Sequence, residues 1–365
     1  MVSRGPIMIL GGGTGGHVYP GLAVASVLRQ RASTVVWMGT RHGLEARLVP
    51  EAGIEMEWIS IVGFRGRGPL AWLTAPFAVL LALCQAVAAL RRRRPAAVLG
   101  LGGFVSGPGG LAAWLTRRPL LIHEQNAVAG TTNRILARFA QRIFGAFPQS
   151  FPATVDVELI GNPVRQSILA LPIPSERFAS RVGSDTALRV LVLGGSQGAR
   201  VLNEQVPAGL ARLPREIELT VWHQAGVSLD VAQAAYARAG LEPRLDEFIE
   251  DMAAAYGWAD LVICRAGALT VAELAAAGIG AVLIPFPHAI DDHQMKNAMS
   301  FASQGAGIVI PESELDPERL ARELTTLLSD HKALVRLAER ARAQAKPRAA
   351  EILADACLEL AEVRS

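Results

Sequence analysis

At 365 residues, 51% of them hydrophobic and few aromatic, the chain can bury two cores of ordinary domain size, which excludes a disordered or low-complexity protein. Its net charge of +3 is unevenly spread: residues 1–163 carry 16 arginines, no lysine and 7 acids, for +9, whereas the remainder carries 20 basic and 26 acidic residues, for −6. Only the first half favours an anionic surface, and the three cysteines, Cys84, Cys264 and Cys357, lie too far apart for a paired-cysteine zinc or redox motif, so a reduced, cytosolic setting is the simplest expectation.

The N-terminus enters a glycine loop after four apolar residues, too short a run for a signal peptide. Ile7 to Leu10 reads as a central parallel strand, followed by Gly11-Gly12-Gly13-Thr14-Gly15-Gly16-His17 and a helix from about Pro20 to Gln30. Glycines at that point let the backbone turn sharply and approach a ligand closely. Gly11, Gly13 and Gly16 also fit a dinucleotide fingerprint, yet the acid expected about twenty residues on is missing, and the chain there reads Trp37-Met38-Gly39-Thr40-Arg41. An arginine would serve NADP, so a nicotinamide enzyme stays open here. His17 ends the loop at the C-terminal edge of the sheet, where a general base would deprotonate an attacking hydroxyl; a capping or structural histidine is the alternative.

Further strands are expected at Thr34 to Met38, Trp58 to Val62, Val98 to Leu101, Leu120 to His123 and Arg142 to Phe144, separated by helices or long loops, which makes the first half a doubly wound α/β domain. Residues 70–90 carry no charge and precede Arg91 to Arg94, so length and flank alone permit a transmembrane helix. Pro76, Gln85, seven alanines and a place between two strands argue instead for a crossover helix, one face on the sheet and the other against a membrane. A wholly buried helix is the plainer alternative. Two loops open on the same edge as His17: residues 102–110, rich in glycine and suited to phosphate, and His123-Glu124-Gln125-Asn126-Ala127. The second is not a zinc-protease motif, because Ala127 stands four after His123.

The pattern breaks at Leu159 to Pro163 and restarts at Arg189 to Leu193 with a second glycine loop, Gly194-Gly195-Ser196-Gln197-Gly198-Ala199. Two Rossmann-like domains in tandem, facing across a cleft, are expected: 1–163, 164–345, and a C-terminal helix within 346–365 packing back on the first. Strands recur near Leu219 to Trp222, Leu261 to Cys264, Ala281 to Ile284 and Gly307 to Ile310. After Leu261 to Cys264, a small-residue turn feeds a helix whose first N–H groups suit a diphosphate. Glu273, one turn in, suits ribose hydroxyls, and Gln294 and Asn297, three apart on one helix face, suit sugar hydroxyls. A nucleotide-free βαβ unit with a capping glutamate is the alternative. No Asp-x-Asp follows a strand, and Asp291-Asp292-His293 reads better as helix capping than as a ligand cluster, so neither metal nor cofactor is expected.

The stretches GGGTGGH at 11–17, GGFVSGPGG at 102–110, HEQNAVAG at 123–130, GNPVR at 161–165, GGSQGA at 194–199, FIEDM at 248–252 and CRAGALTVAE at 264–273, with Gln294 and Asn297, run in one order from end to end. Together they resemble the bacterial glycosyltransferases of peptidoglycan synthesis that move N-acetylglucosamine from UDP-N-acetylglucosamine to undecaprenyl-pyrophosphoryl-N-acetylmuramyl pentapeptide, lipid I. The resemblance implies a GT-B fold, inversion without a metal, and a first domain resting on the inner face of the cytoplasmic membrane. It implies UDP-N-acetylglucosamine, lipid I and an anionic membrane surface as partners, other cell-wall synthesis proteins as further candidates, and no nucleic acid. By matching position, Arg165, Ser196, Ile249, Arg265, Ala268, Leu269, Thr270, Val271, Ala272, Glu273, Gln294 and Asn297 would hold the UDP sugar, Ile249 serving uracil through its backbone and Glu273 the ribose. Thr14, Gly15, Gly16 and Asn126 would line the cleft opposite, with His17 as base. Phe104 departs from the family's tyrosine and His293 from its occasional glutamine. A UDP-N-acetylglucosamine 2-epimerase of the same fold would need acids in the cleft, where Glu124 is the only one between Gly63 and Arg142. A catalytically silent binding subunit is the remaining alternative.

Overall fold

The computed structural model describes residues 5–61, 69–179, 187–195, 198–287, 289 and 292–362, with backbone alone for 69–74. The chain divides into two compact units, residues 1–165 with 346–365, and residues 166–345. The first unit runs β1 (Ile7–Leu10), α1 (Gly15–Gln30), β2 (Val35–Gly39), α2 (Glu45–Glu51), β3 (Glu55–Trp58), α3 (Pro69–Arg93), β4 (Ala97–Gly100), α4 (Gly103–Leu115), β5 (Leu120–Glu124), α5 (Thr131–Leu136), β6 (Arg142–Gly145) and β7 (Glu158–Leu159). Its strands are all parallel in the order β3-β2-β1-β4-β5-β6-β7.

Helices cover both faces of such a sheet, so its inner strands are apolar throughout, as in the fully buried Ile-Met-Ile-Leu of β1. Side-chain alternation then separates two cores. Ile7 and Ile9 pack with Val24 and Leu28 of α1, whereas Met8 and Leu10 pack with Ala82 and Ala86 of α3 and Ala112 of α4.

The second unit runs α6 (Gln166–Leu169), α7 (Pro174–Ala179), β8 (Leu188–Leu193), α8 (Arg200–Leu210), β9 (Leu219–Gln224), α9 (Leu229–Ala239), β10 (Arg244–Asp246), α10 (Met252–Trp258), β11 (Leu261–Cys264), α11 (Ala268–Ala277), β12 (Gly280–Leu283), α12 (His293–Ala302), β13 (Gly307–Val309), α13 (Pro317–Leu328) and α14 (His331–Ala343). Its parallel sheet has the order β10-β9-β8-β11-β12-β13. The last helix, α15 (Ala349–Glu362), belongs to the first unit, where Leu353, Ala354 and Cys357 complete the core around Ile7 and Ile9. In each sheet the strand order reverses once, beside β1 and beside β8. The loops that follow those strands open at the topological switch point, where open α/β sheets bind ligands.

Two expectations are corrected. The strand expected over Trp58 to Val62 lies at Glu55–Trp58, and Val62 is outside the described residues. As an edge strand it tolerates acids: Glu57 is ion-paired with Arg92 and Arg93, and Glu55 with Arg93 at 2.8 Å. The wholly buried alternative for α3 also fails, because Phe77, Leu80 and Leu81 are 76%, 58% and 53% exposed while Ala82, Ala86 and Leu90 are buried on the opposite face. By length and composition, Ala75–Arg93 is the one helix among the described residues long and apolar enough to cross a membrane.

Candidate active site

The first glycine loop is shaped from outside by one buried carboxylate. Glu45 accepts hydrogen bonds from Gly13 N at 2.9 Å, Thr40 N at 2.9 Å and Thr40 Oγ1 at 2.8 Å. Trp37 Nε1 donates to the Gly11 carbonyl at 2.7 Å. Gly13 has φ +92°, and a Cβ there would come within 2.9 Å of the Phe104 ring. The Glu45 carboxylate lies against Gly12 as well as Gly13, and its Oε1 stands where a Cβ on Gly12 would collide with it.

Thr14 is the N-cap of α1, with extended φ −113° and ψ 162°, and Gly15, Gly16 and His17 form its first turn. The His17 ring lies over Gly102 and Gly103, whose φ values are +82° and +74°; a Cβ on either would come within 3.3 Å of the imidazole. His17 Nδ1 is 3.2 Å from Gln125 Oε1.

The loop after β5 is tied inward. Glu124, buried, accepts from Asn126 N at 3.0 Å, Asn126 Nδ2 at 3.2 Å, Gly130 N at 3.1 Å and Asn133 Nδ2 at 2.9 Å. Asn126 therefore turns its amide nitrogen toward Glu124. His123 is wholly buried with Nε2 2.9 Å from the Gly161 carbonyl, and burial pushes its pKa down to about 4, so it is neutral at neutral pH. Arg165, counted in the first unit, stacks its guanidinium 4.5 Å from the centre of the Tyr19 ring.

In the second unit, β11 ends at Cys264, and Gly267, with φ −62° and ψ 141°, is the N-cap of α11. No acid stands in the first turn of that helix, which begins at Ala268, Leu269 and Thr270, so no side chain of that turn offsets the positive end of the helix dipole. At the far end, Arg177 donates to the Ala277 carbonyl at 2.8 Å, which anchors the helix. Val271 and Ala272 continue the helix, and Glu273 follows, buried, with the Tyr256 hydroxyl 3.2 Å from its Oε2.

The remaining side chains brace the loops at this end of the sheet. Arg265 donates to Ile284 O at 3.2 Å and Pro285 O at 3.4 Å and is ion-paired with Glu312. Asn297 is fully buried and donates to Ala266 O at 3.1 Å, while Gln294 Oε1 accepts from Phe286 N at 3.0 Å. Gln224, at the end of β9, links two further loops: its Nε2 donates to Gly195 O at 3.0 Å and its Oε1 accepts from Ile249 N at 3.4 Å. Ser196, Gln197, His288 and Asp291 lie outside the described residues.

The first unit thus gathers Thr14, Gly15, Gly16, His17 and Asn126 at one sheet edge, and the second gathers Ile249, Arg265, Ala268 to Glu273, Gln294 and Asn297 at another. Glu45, Gln224 and Tyr256 were not singled out from the sequence, and Gln125 only as one member of the loop after β5. Only Gln125 and Gln224 carried a signal, as polar residues beside a strand's C-terminal end.

Residues 7–145 match the glycosyltransferase family 28 N-terminal domain and residues 189–355 its C-terminal domain. The chain is 58% identical over 356 residues to the UDP-N-acetylglucosamine--N-acetylmuramyl-(pentapeptide) pyrophosphoryl-undecaprenol N-acetylglucosamine transferase of Nitrosococcus oceani, covering 97% of this chain and 98% of that one. The crystal structure of MurG from Acinetobacter baumannii is similar at a TM-score of 0.81 and 41% identity, over 97% of this chain and 99% of that one. A UDP-N-acetylglucosamine 2-epimerase from Neisseria meningitidis, at 12% identity and a TM-score of 0.65 over 97% of this chain and 99% of that one, shares the fold alone. With both domain types in order and a full-length relative at this identity, the chain belongs to glycosyltransferase family 28 and has the GT-B fold.

Proposed function

We propose that this protein transfers N-acetylglucosamine from UDP-N-acetylglucosamine to the 4-hydroxyl of undecaprenyl-pyrophosphoryl-N-acetylmuramyl pentapeptide, with inversion at the anomeric carbon. The hydroxyl oxygen attacks C1, the bond from C1 to the diphosphate oxygen breaks, UDP leaves with the electron pair, and His17 Nε2 takes the hydroxyl proton. The second unit holds the donor: Ile249 beside the uracil, the start of α11 on the diphosphate, and Glu273 on the ribose. Arg265, Gln294 and Asn297 act mainly by bracing the loops that line this site.

The observation that carries the reading is the state of the titratable groups packed about His17. Glu45 and Glu124 each accept several hydrogen bonds from their own loops and His123 is buried and neutral, so among the described residues of these loops the half-buried imidazole of His17 is the group to which we assign the proton. An epimerase, which moves a proton at carbon 2, needs a carboxyl acid there. UDP release that depends on the lipid acceptor is the expected result; acceptor-free formation of UDP-N-acetylmannosamine would overturn it.

Replacing Glu273 by alanine should weaken UDP binding by about 1–3 kcal/mol, since ribose hydroxyls would lose a partner in a partly desolvated site. The change also removes the carboxylate 3.2 Å from the Tyr256 hydroxyl, so Tyr256→Phe is the control. Calorimetry should show donor affinity near wild type for Tyr256→Phe and a clear loss for Glu273→Ala; a loss below a few tenths in the latter contradicts the role.

The first unit also attaches peripherally to the cytoplasmic face of the cell membrane, through the exposed residues Phe77, Leu80 and Leu81 of α3 and Trp114 and Leu115 of α4. Arg92 and Arg93 are already paired with Glu57 and Glu55, so Arg91 and Arg94 supply the charge toward lipid, each contributing about 1 kcal/mol on an anionic surface. Co-sedimentation with anionic vesicles should fall as salt is raised, because exposed charges are screened over about 8 Å at physiological ionic strength. Retention until detergent is added would mean that α3 spans the bilayer.

A further inference from the structure

We infer that Gln125 is a positioning residue that keeps the single proton of neutral His17 on Nδ1, leaving Nε2 as the basic nitrogen. The inference rests on His17 being the base, and it is carried by a chain of hydrogen bonds whose direction is fixed at its far end. The Gly161 carbonyl can only accept, so His123 Nε2, 2.9 Å away, carries a proton. A neutral imidazole has one proton, which leaves His123 Nδ1 able only to accept. The group facing it at 3.2 Å must therefore be the Gln125 amide nitrogen. That orientation turns Gln125 Oε1 toward His17 Nδ1 at 3.2 Å, and an amide oxygen cannot donate. His17 Nδ1 is thus the donor.

Each link is held from the side. Gln125 and His123 are buried; Asn162 Nδ2 donates to the Gln125 carbonyl at 3.0 Å, and Asn133 Nδ2 donates to the His123 carbonyl at 3.1 Å. His123, pushed down to about 4 by burial, keeps its single proton across the neutral range, so the amide has no occasion to turn over. Histidine in water prefers the opposite tautomer, with the proton on Nε2. A His17 released from Gln125 would present an N–H, not a lone pair, to the acceptor hydroxyl. Gln125 acts on the reaction only through this proton, much as the third group of a catalytic triad orients its histidine.

The test is the tautomer itself, read from long-range proton–nitrogen spectra of the full chain labelled with 15N-histidine, the His17 signals being assigned by their loss in His17→Asn. In the wild type, His17 should show a protonated Nδ1 and an unprotonated Nε2, and His123 the reverse. In Gln125→Met, His17 should shift toward the Nε2–H form, turnover should fall on the order of a hundredfold, and KM for UDP-N-acetylglucosamine should stay within about twofold. A wild-type His17 protonated on Nε2 overturns the inference, as does a Gln125→Met protein with unchanged tautomer and turnover. If that variant does not fold, the wild-type spectrum decides alone. Full turnover in His17→Ala would instead remove the base reading, and the spectrum would still report where the proton sits.

Discussion

Replacing His17 by alanine is expected to lower turnover by roughly a hundredfold or more while leaving UDP affinity nearly unchanged. Both halves of that expectation follow from where the residue stands. His17 lies in the first turn of α1 in the first unit, whereas the residues proposed to hold UDP lie largely in the second. Alanine is at least as good a helix former as histidine, and the lost ring rests on Gly102 and Gly103 at a half-buried site, so the fold should tolerate the change. Steady-state turnover, calorimetric UDP affinity and a thermal melt separate the cases. A wild-type rate in His17→Ala takes the histidine out of the chemistry. A wild-type protein that binds UDP but turns nothing over in the presence of donor and lipid acceptor would be a binding subunit.

The inner strands were legible in the sequence because a parallel strand covered on both faces is apolar throughout, and β1, β4, β5, β8 and β11 fall close to their expected runs. The apolar edge strand β13 was also legible, at Gly307–Val309, but the charged edge strands β3, β7 and β10 were not. β3 carries Glu55 and Glu57, β7 carries Glu158, and β10 begins with Arg244 and ends with Asp246. The charges of β3 and β7 are satisfied by partners distant in sequence, as Glu158 is by Arg142 at 2.8 Å, and those of β10 by each other, Arg244 with Asp246 at 3.1 Å, so composition argued for loops.

The glycine loops announced themselves through small residues, because a backbone that must turn or approach closely tolerates little else. What those loops rest on was hidden, since the Gly13–Glu45 and His17–Gln125 contacts join positions far apart in sequence. Helical spacing put Gln294 and Asn297 on one face correctly but could not say what that face meets, and it meets the protein's own Ala266 carbonyl and Phe286 N–H.

Glu124→Ala is expected to destabilise the first unit by about 3–4 kcal/mol, the largest stability effect among the site residues. A buried carboxylate here accepts from four N–H groups of three residues, and alanine would leave donors of Asn126, Gly130 and Asn133 without an acceptor in a place water reaches poorly. Glu124→Gln is the more informative variant. An amide keeps one oxygen, so it can still serve either the Asn126 pair or the Gly130 and Asn133 pair, but its NH2 must then face N–H donors on the other side, and stability should fall to an intermediate value. A catalytic acid would behave differently: the isosteric amide would leave the fold nearly intact and abolish turnover. Urea midpoints and turnover measured on the same three proteins therefore distinguish a loop anchor from a proton donor. Graded stability, with turnover falling in step as the loop that carries Gln125 and Asn126 loosens, supports the anchor. Equal stability with turnover lost only in the variants would make Glu124 a participant in proton transfer and reopen the case for chemistry at carbon 2 of the donor sugar.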